Sequence, residues 1–223
     1  MAIILCIETA TDACSVAVGR SEELLAEEHI SEGMRHSSAL TQLIDKVMSR
    51  VGLRAQNLDS VAISNGPGSY TGLRVGASTA KAICFAQDIP LIAISTLEAL
   101  AHHYEEGHPI MTTLDARRME VYATIYRDKK EILPVKSLIW TEEEIKGLLI
   151  AHPNLSIVGT GVDKAKELFQ SLSYKYYQEV ECRAAHLLRP AYLRYLENDV
   201  VDIAYHSPFY FKMPNITVPK PKI

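Results

Sequence analysis

The chain has 223 residues, 48% of them hydrophobic and 22% charged, enough apolar material for one large domain or two small ones. A net charge of −4 with no broad basic run excludes a protein that grips nucleic acid unaided through a cationic face. No stretch nears the roughly 18 apolar residues of a membrane span.

The opening "MAIILCIETATD" is apolar for only about six residues and lacks the basic start and long apolar run of a secretion signal. Cys6, Cys14, Cys84 and Cys182 form no CxxC pair, and the first three fall in apolar patterns. They read as reduced core thiols of a soluble, cytoplasmic protein. The basic "PKPK" at 219–222 reads as a solvated terminus.

Taken in order, "AIILCIET" (2–9) is a buried strand and "CSVAVGR" (14–20) its hairpin return. "ELLAEEHI" (23–30) supplies a third strand. "HSSALTQLIDKVMSRVG" (36–52) has helical spacing, with Leu40, Leu43, Ile44, Val47 and Val51 on one face. "DSVAISN" (59–65) is a strand, "SNGPGSYTGLRVG" (64–76) a Gly-rich turn opening a helix over 71–87, and "PLIAIS" (90–95) another strand. This β-β-β-α-β-α-β order implies a partly parallel sheet in an α/β layer structure.

The second half echoes the first. "IMTTLDARRMEVYATIYRD" (110–128) is again strand, turn and return strand, and an acid ends the first strand of each copy: Glu8 and Asp115. "TEEEIKGLLIA" (141–151) is a helix with Thr141 as N-cap and Glu144 as its capping-box partner. "LSIVGTGVDKAKELFQ" (155–170) repeats strand, Gly-x-Gly and helix. "AAHLLRPAYLRYLEN" (184–198) gives a last helix, bent or begun at Pro190. The expected organisation is two related lobes, 1–103 and 104–223, with the C-terminal segment packing back on the first.

The catalogue of chemistry is mostly negative. The Gly-rich turn has neither the Lys-Ser/Thr of a Walker A loop nor the GxGxxG spacing of a dinucleotide fold. Gly66 and Gly68 would still let backbone N–H groups face an anion, and Ser69, Tyr70 and Thr71 add hydroxyls. A purely steric strand-to-helix turn explains the same residues equally well. Among eight histidines no two lie four apart, so no HxxxH metal face exists on a helix. His102 and His103 are adjacent on a helix and read as surface residues. No G-x-S-x-G or catalytic Cys context occurs. Glu8 and Asp115 would face one another across a cleft, where paired acids could hold Mg²⁺ or activate a nucleophile. Capping of the turns that follow them explains these two acids as well.

The helix over 71–87 carries one narrow polar stripe, Arg74, Ser78 and Lys81. Its apolar arc covers about 200°, wider than the roughly 100° needed to cover one sheet. Small residues at Gly72, Gly76 and Ala80 would allow a close helix contact. The neighbour would be helix 36–52 or another chain.

At "LCIETATDACSVAV", "SNGPGSYTGLRVGASTAKAI", "ISTLEAL" and "LDARRMEVYATIY" the sequence resembles the TsaB (YeaZ) family. This is a bacterial subunit type of the tRNA threonylcarbamoyladenosine (t6A) machinery. Weaker agreement continues in "IVGTGV" and in Pro208 and Tyr210. The resemblance implies an α/β fold of the actin/Hsp70/sugar-kinase (ASKHA) type, two related lobes of mixed sheets flanked by helices. It implies a non-catalytic scaffold that pairs with TsaD, which transfers threonylcarbamoyl to N6 of adenosine 37 in tRNAs reading ANN codons. TsaE, an ATPase, joins the complex, and tRNA is reached only through it. No cofactor or metal of its own is expected, with ATP or ADP at the complex interface left open.

Carried onto this chain, the pairing surface falls on His36, Leu40, Leu43, Ile44 and Val47 of the first helix. On the second it falls on Leu73, Gly76, Thr79, Ala80 and Ile83. The same helices would support a homodimer in the absence of TsaD. Residues facing a nucleotide or phosphate, if one binds, would be Glu8, Thr9, Gly66, Gly68, Ser69 and Asp115. The family's first strand usually ends in Asp-Thr; here it is Glu8-Thr9, one methylene longer, which displaces any such contact. An active ASKHA phosphotransferase for a small metabolite is the alternative reading. A metallopeptidase, an older label of the wider family, lacks its HxxxH pair.

Overall fold

A computed structural model describes residues 1–31, 36–104 and 107–212, without the side chains of 36–38. The strands β1 (Ile3–Glu8), β2 (Cys14–Arg20), β3 (Glu23–Ile30), β4 (Ser60–Ser64) and β5 (Leu91–Ile94) form one sheet in the order β3-β2-β1-β4-β5. The first three are antiparallel neighbours, and β4 and β5 run parallel to β1. The second sheet contains β6 (Ile110–Asp115), β7 (Glu120–Arg127), β8 (Lys130–Ile139), β9 (Ser156–Gly159) and β10 (Tyr177–Gln178), ordered β10-β9-β6-β7-β8. Counted from its own first strand, this is the same topology. It again has an antiparallel meander on one side and parallel strands on the other. The duplication read from sequence is therefore physical.

Helices α1 (His36–Arg50) and α2 (Tyr70–Gln87) cover one face of the first sheet. Leu40, Leu43 and Val47 from α1 and Ala77, Ala80 and Cys84 from α2 meet Leu5, Ile7, Val16, Val61 and Ile63 there. The opposite face packs on α3 (Thr96–His102), on a 3-10 turn at Ala184–Leu187 and on α6 (Leu188–Glu197). In the second lobe α4 (Glu142–Ala151) and α5 (Lys166–Ser171) close one face over Trp140, Ile157 and Phe169. Leu97 and Leu100 of α3 contact Leu114, so α3 is wedged between the sheets. Each sheet alternates its apolar side chains between two covered faces, as strands with a period of two residues must.

Several local expectations meet their residues. Thr141 Oγ1 accepts from the Glu144 backbone N–H at 3.1 Å. The Glu144 carboxylate instead pairs with Lys136 at 3.0 Å, so the capping box is half made. Strand β8 was not anticipated. Pro190 lies inside the first turn of α6 rather than at a bend; it has no N–H to donate, and first-turn N–H groups lack intrahelical partners anyway. All four cysteines are buried and free, and burial pushes each thiol pKa up.

The helix α2 holds two glycines, Gly72 and Gly76, in its first two turns, at a cost of about 1 kcal/mol each relative to Ala. A Cβ on Gly72 would overlap the Thr9 carbonyl, and one on Gly76 the Thr9 hydroxyl. The substitution Gly72→Ala is expected to destabilise the fold by about 3 kcal/mol, since the obstacle is backbone. By contrast, Gly147 sits mid-helix in α4 with open space around it, and Gly147→Ala is expected to stabilise by up to about 1 kcal/mol. Urea midpoints of the two variants check this pair, and equal effects would contradict the packing described.

Candidate functional site

Between the lobes lies a cleft of about 740 Å³. Its floor is the turn after β1 (Ala10 to Ala13), the start of α2 (Gly68 to Thr71) and the end of β6 (Leu114 to Arg117). Five carboxylates line it, Asp12, Asp115, Asp163, Glu179 and Glu181, against two cations, Arg117 and Lys212. Three of these acids are paired from just outside the lining: Lys164 holds Asp115 at 2.5 Å, and Lys166 holds Asp163 and Glu179 at 2.6 and 2.8 Å.

The Gly-rich turn is packed on both sides. A Cβ on Gly68 would overlap Ala10, and one on Gly66, at φ 105°, would overlap the Phe209 carbonyl. The Ser69 N–H donates to the Ala10 carbonyl at 2.6 Å. The Ser69 hydroxyl caps α2 by accepting from the Gly72 N–H at 3.3 Å. Residues 206–212 cross the outside of the turn. There the Phe209 N–H donates to the Asn65 carbonyl at 2.7 Å, and Tyr210 rests on Tyr70 with ring centroids 4.7 Å apart. Phe211 and Lys212 then reach Tyr122 and Glu120 of the second lobe. Of the residues expected to face a phosphate, Gly68, Ser69 and Asp115 line the cleft. Gly66 is covered by the crossing segment, and Glu8 and Thr9 are inside the fold.

The two strand-end acids have diverged. Glu8 is 1% exposed and absent from the cleft lining. Its Oε1 accepts from the Ala10 N–H at 2.6 Å and from the Ser64 hydroxyl at 2.9 Å, while Oε2 has no partner. Burial pushes its carboxyl up to about 7, against the opposing pull of those hydrogen bonds. Asp115 does face the cleft, but Lys164 holds it at 2.5 Å and the Arg117 N–H donates to it. The expected pair of acids facing across the cleft is thus not present, because the Glu8 side chain turns under β4 toward Ser64.

Most of the expected pairing residues are already engaged within this chain. Leu40, Leu43, Val47, Leu73, Gly76 and Ala80 are buried within this chain. Ile44, Thr79 and Ile83 are half-buried, and the side chain of His36 lies outside the described residues. The small stripe Gly72, Gly76 and Ala80 admits β1 and its own sheet, so it is not free for a partner. Beyond its first two residues, Tyr70 and Thr71, α2 leaves outside Arg74, Ser78, Ala82, Phe85 and Ala86, with Phe85 80% exposed. Among the described residues no group of three or more His, Cys, Asp or Glu is placed to hold a metal. No described helix is long and apolar enough to cross a membrane.

Two lobes of matching topology around a cleft define an actin-like (ASKHA) fold. Solved structures agree. A Pseudomonas aeruginosa protein described as similar to peptidase YeaZ superposes with a TM-score of 0.76 at 22% identity, covering 95% of this chain and all of that one. The activator of 2-hydroxyisocaproyl-CoA dehydratase from Clostridium difficile, with bound ADPNP, gives 0.54 at 10% identity, covering 90% and 98%.

A family model described as TsaD: tRNA N6-adenosine threonylcarbamoyltransferase matches residues 23–207. The tRNA threonylcarbamoyladenosine biosynthesis protein TsaB of Haemophilus influenzae is 38% identical over 133 residues, 56% of this chain and 55% of that one. The TsaB of Buchnera aphidicola subsp. Schizaphis graminum is 31% identical over 153 residues, 66% and 68%. The chain belongs to the family this model describes, as one of its TsaB (YeaZ) members. It spans about half the length of the Haemophilus relative in the matched region.

The buried Glu8 makes stability depend on pH with a definite sign. Its folded pKa is raised from 4.5 to about 7, so its contribution is intact below pH 4.5 and is lost as pH rises through 7. Glu8→Gln removes that titration. Relative to the variant, the parent protein is expected to lose about 2–3 kcal/mol between pH 5 and pH 8.5. Parallel denaturant titrations across that range measure it, and superimposable pH profiles would refute the assignment.

Proposed function

We propose that this chain acts in t6A synthesis as a non-catalytic subunit that pairs with TsaD and positions it for threonylcarbamoyl transfer to adenosine 37 of tRNA. The observation that carries the reading is the fate of the two strand-end acids. A phosphotransferase of this fold needs carboxylates free to hold Mg²⁺ or activate a nucleophile in the cleft. Glu8 is sealed beneath it, and Asp115 is neutralised by Lys164.

The pairing surface that fits this reading is the outer face of α2. Its inner face is already filled, yet Ala82, Phe85 and Ala86 present apolar surface outward. An exposed aromatic amid small residues is suited to a helix-on-helix contact. In TsaD's absence the same face would support a homodimer. TsaE joins the assembled pair, in the cytoplasm, and any ATP or ADP sits at the complex interface and not in this chain's own cleft.

Reconstitution with tRNA, threonylcarbamoyl-adenylate, TsaD and TsaE, with and without this chain, tests the role. Efficient t6A formation is expected only when the chain is present. Phe85→Glu is expected to weaken co-purification with TsaD by at least about tenfold. It should leave the isolated chain's stability within about 0.5 kcal/mol, since the side chain is exposed. Full t6A formation without the chain, or steady ATP turnover by the chain alone, would overturn the reading, the latter in favour of a phosphotransferase.

A further inference from the structure

A second cavity, of about 420 Å³, shares no lining residue with the cleft. It lies where the end of α3, strand β3, the turn at Ala184–Leu187 and the start of α6 converge. His102, His103, His186, Arg183, Arg189 and Glu27 line it. Sequence reading placed His102 on the surface; its side chain is in fact only 8% exposed.

The lining carries two guanidiniums and three imidazoles against a single carboxylate. The one carboxylate, Glu27, is saturated: Arg183 donates to it at 2.7 and 3.3 Å and the Ala185 N–H at 3.1 Å. The Nδ1 atoms of His102 and His186 are buried without a hydrogen-bond partner. The His103 ring lies on that of His186, with centroids 4.4 Å apart. The Arg189 guanidinium has one distant ion pair, to Glu22 at 3.7 Å, with both side chains about half exposed. Orphaned buried polar atoms are costly and rare in native proteins. Here two of them belong to rings that line a cavity, beside an under-used guanidinium.

We propose that this cavity binds a small tetrahedral oxyanion, free or as the phosphate head of a small molecule. Arg189 supplies the charge, and His102 and His186 donate hydrogen bonds as imidazolium or neutral N–H groups. Its volume lies within the range of small-ligand sites, roughly 300–1,000 Å³. The remaining charged neighbours are already engaged. Arg194 bonds Glu98 at 2.8 Å, Lys129 donates to the carbonyls of Ala101 and Tyr104, and Glu181 lies 4.0 Å from Arg183. Arg183 also approaches His29 at 3.3 Å. Glu98 is 3.9 Å from the far nitrogen of His102, too long for a hydrogen bond.

Both imidazoles are held neutral. Burial pushes each down to about 4, assisted by Lys129, Arg189 and Arg194 at His102, and at His186 by His103 and Arg183 against the opposing pull of Glu27. An anion accepting from these rings favours their protonated forms, so binding takes up protons and tightens as pH falls. Sulfate is the probe, because its charge is constant across the range tested. Ring proton resonances of the histidines are followed at pH 5.5 and 7.5, at ionic strength held constant with chloride, with amide spectra confirming the fold.

Saturable shifts of His102 and His186 are expected, several-fold tighter at pH 5.5, with His108 and His152 unmoved. Arg189→Gln, an exposed change, should weaken binding by about fivefold or more. Tighter binding of glycerol phosphate than of sulfate would assign the phosphate head of a small molecule, and equal binding the free anion. Unmoved His102 and His186 resonances, an unchanged affinity in Arg189→Gln, or parallel shifts at His108 and His152 would each overturn the proposal.

Discussion

The close approach of the α2 N-terminus to the exit of β1 is the contact on which the molecule is built. Gly68, Gly72 and Gly76 recur every four residues, one helical turn apart, and each gives its Cβ space to Thr9 or Ala10. The Ser69 N–H, donating to the Ala10 carbonyl, completes the contact, while its hydroxyl caps α2. This contact seats the start of the helix directly on the backbone leaving β1, while Ala77, Ala80 and Cys84 pack on the sheet further along, and it shapes the cleft floor. The second lobe solves the same problem with fewer glycines: Gly159 and Gly161 lie against Thr113 of β6. Glycine is expensive in a helix, so its repetition there signals a steric demand.

That packing also explains why a loop with the composition of a phosphate cradle is not arranged as one. Anion-binding loops need free backbone N–H groups and open space. Here one such N–H is taken by Ala10, a hydroxyl serves as a cap, and Phe209 covers Gly66. The duplicated acids show the same divergence. Asp115 kept its place in the cleft and acquired Lys164, whereas Glu8 was buried and carries a raised pKa. Burial of a carboxyl group against two donors gives Glu8 a structural place that Asp115, still at the cleft, does not have.

Much of the fold was legible in order of elements. Strands with clear alternation, the helix after the Gly-rich turn, the Thr141 cap and the duplicated strand-turn-strand all stand where periodicity and turn chemistry put them. Strand β8, with Pro134 and two lysines, carries no clean apolar alternation, because it is an edge strand exposed along much of its length. The burial of most expected pairing residues was not legible, for a different reason. A helical wheel showed that α2 has more apolar surface than one sheet can cover, but not which arc the sheet takes. The glycines that looked suited to a partner are the ones the sheet takes, and Phe85 is what remains.

By itself the sequence determined two mixed α/β lobes, an unusually apolar helix behind a Gly-rich turn, and family membership, because local periodicity and a long ordered motif carry that information. Tertiary structure alone decided which of two equivalent acids reaches the cleft, which face of α2 stays free, and that His102, His186 and Arg189 share a cavity. Those outcomes depend on contacts between residues as far apart as Ala10 and Ser69, Gly66 and Phe209, or Glu27 and Arg183. Distance and burial, which set charge state and access, are properties of the packed chain and leave no local pattern to read.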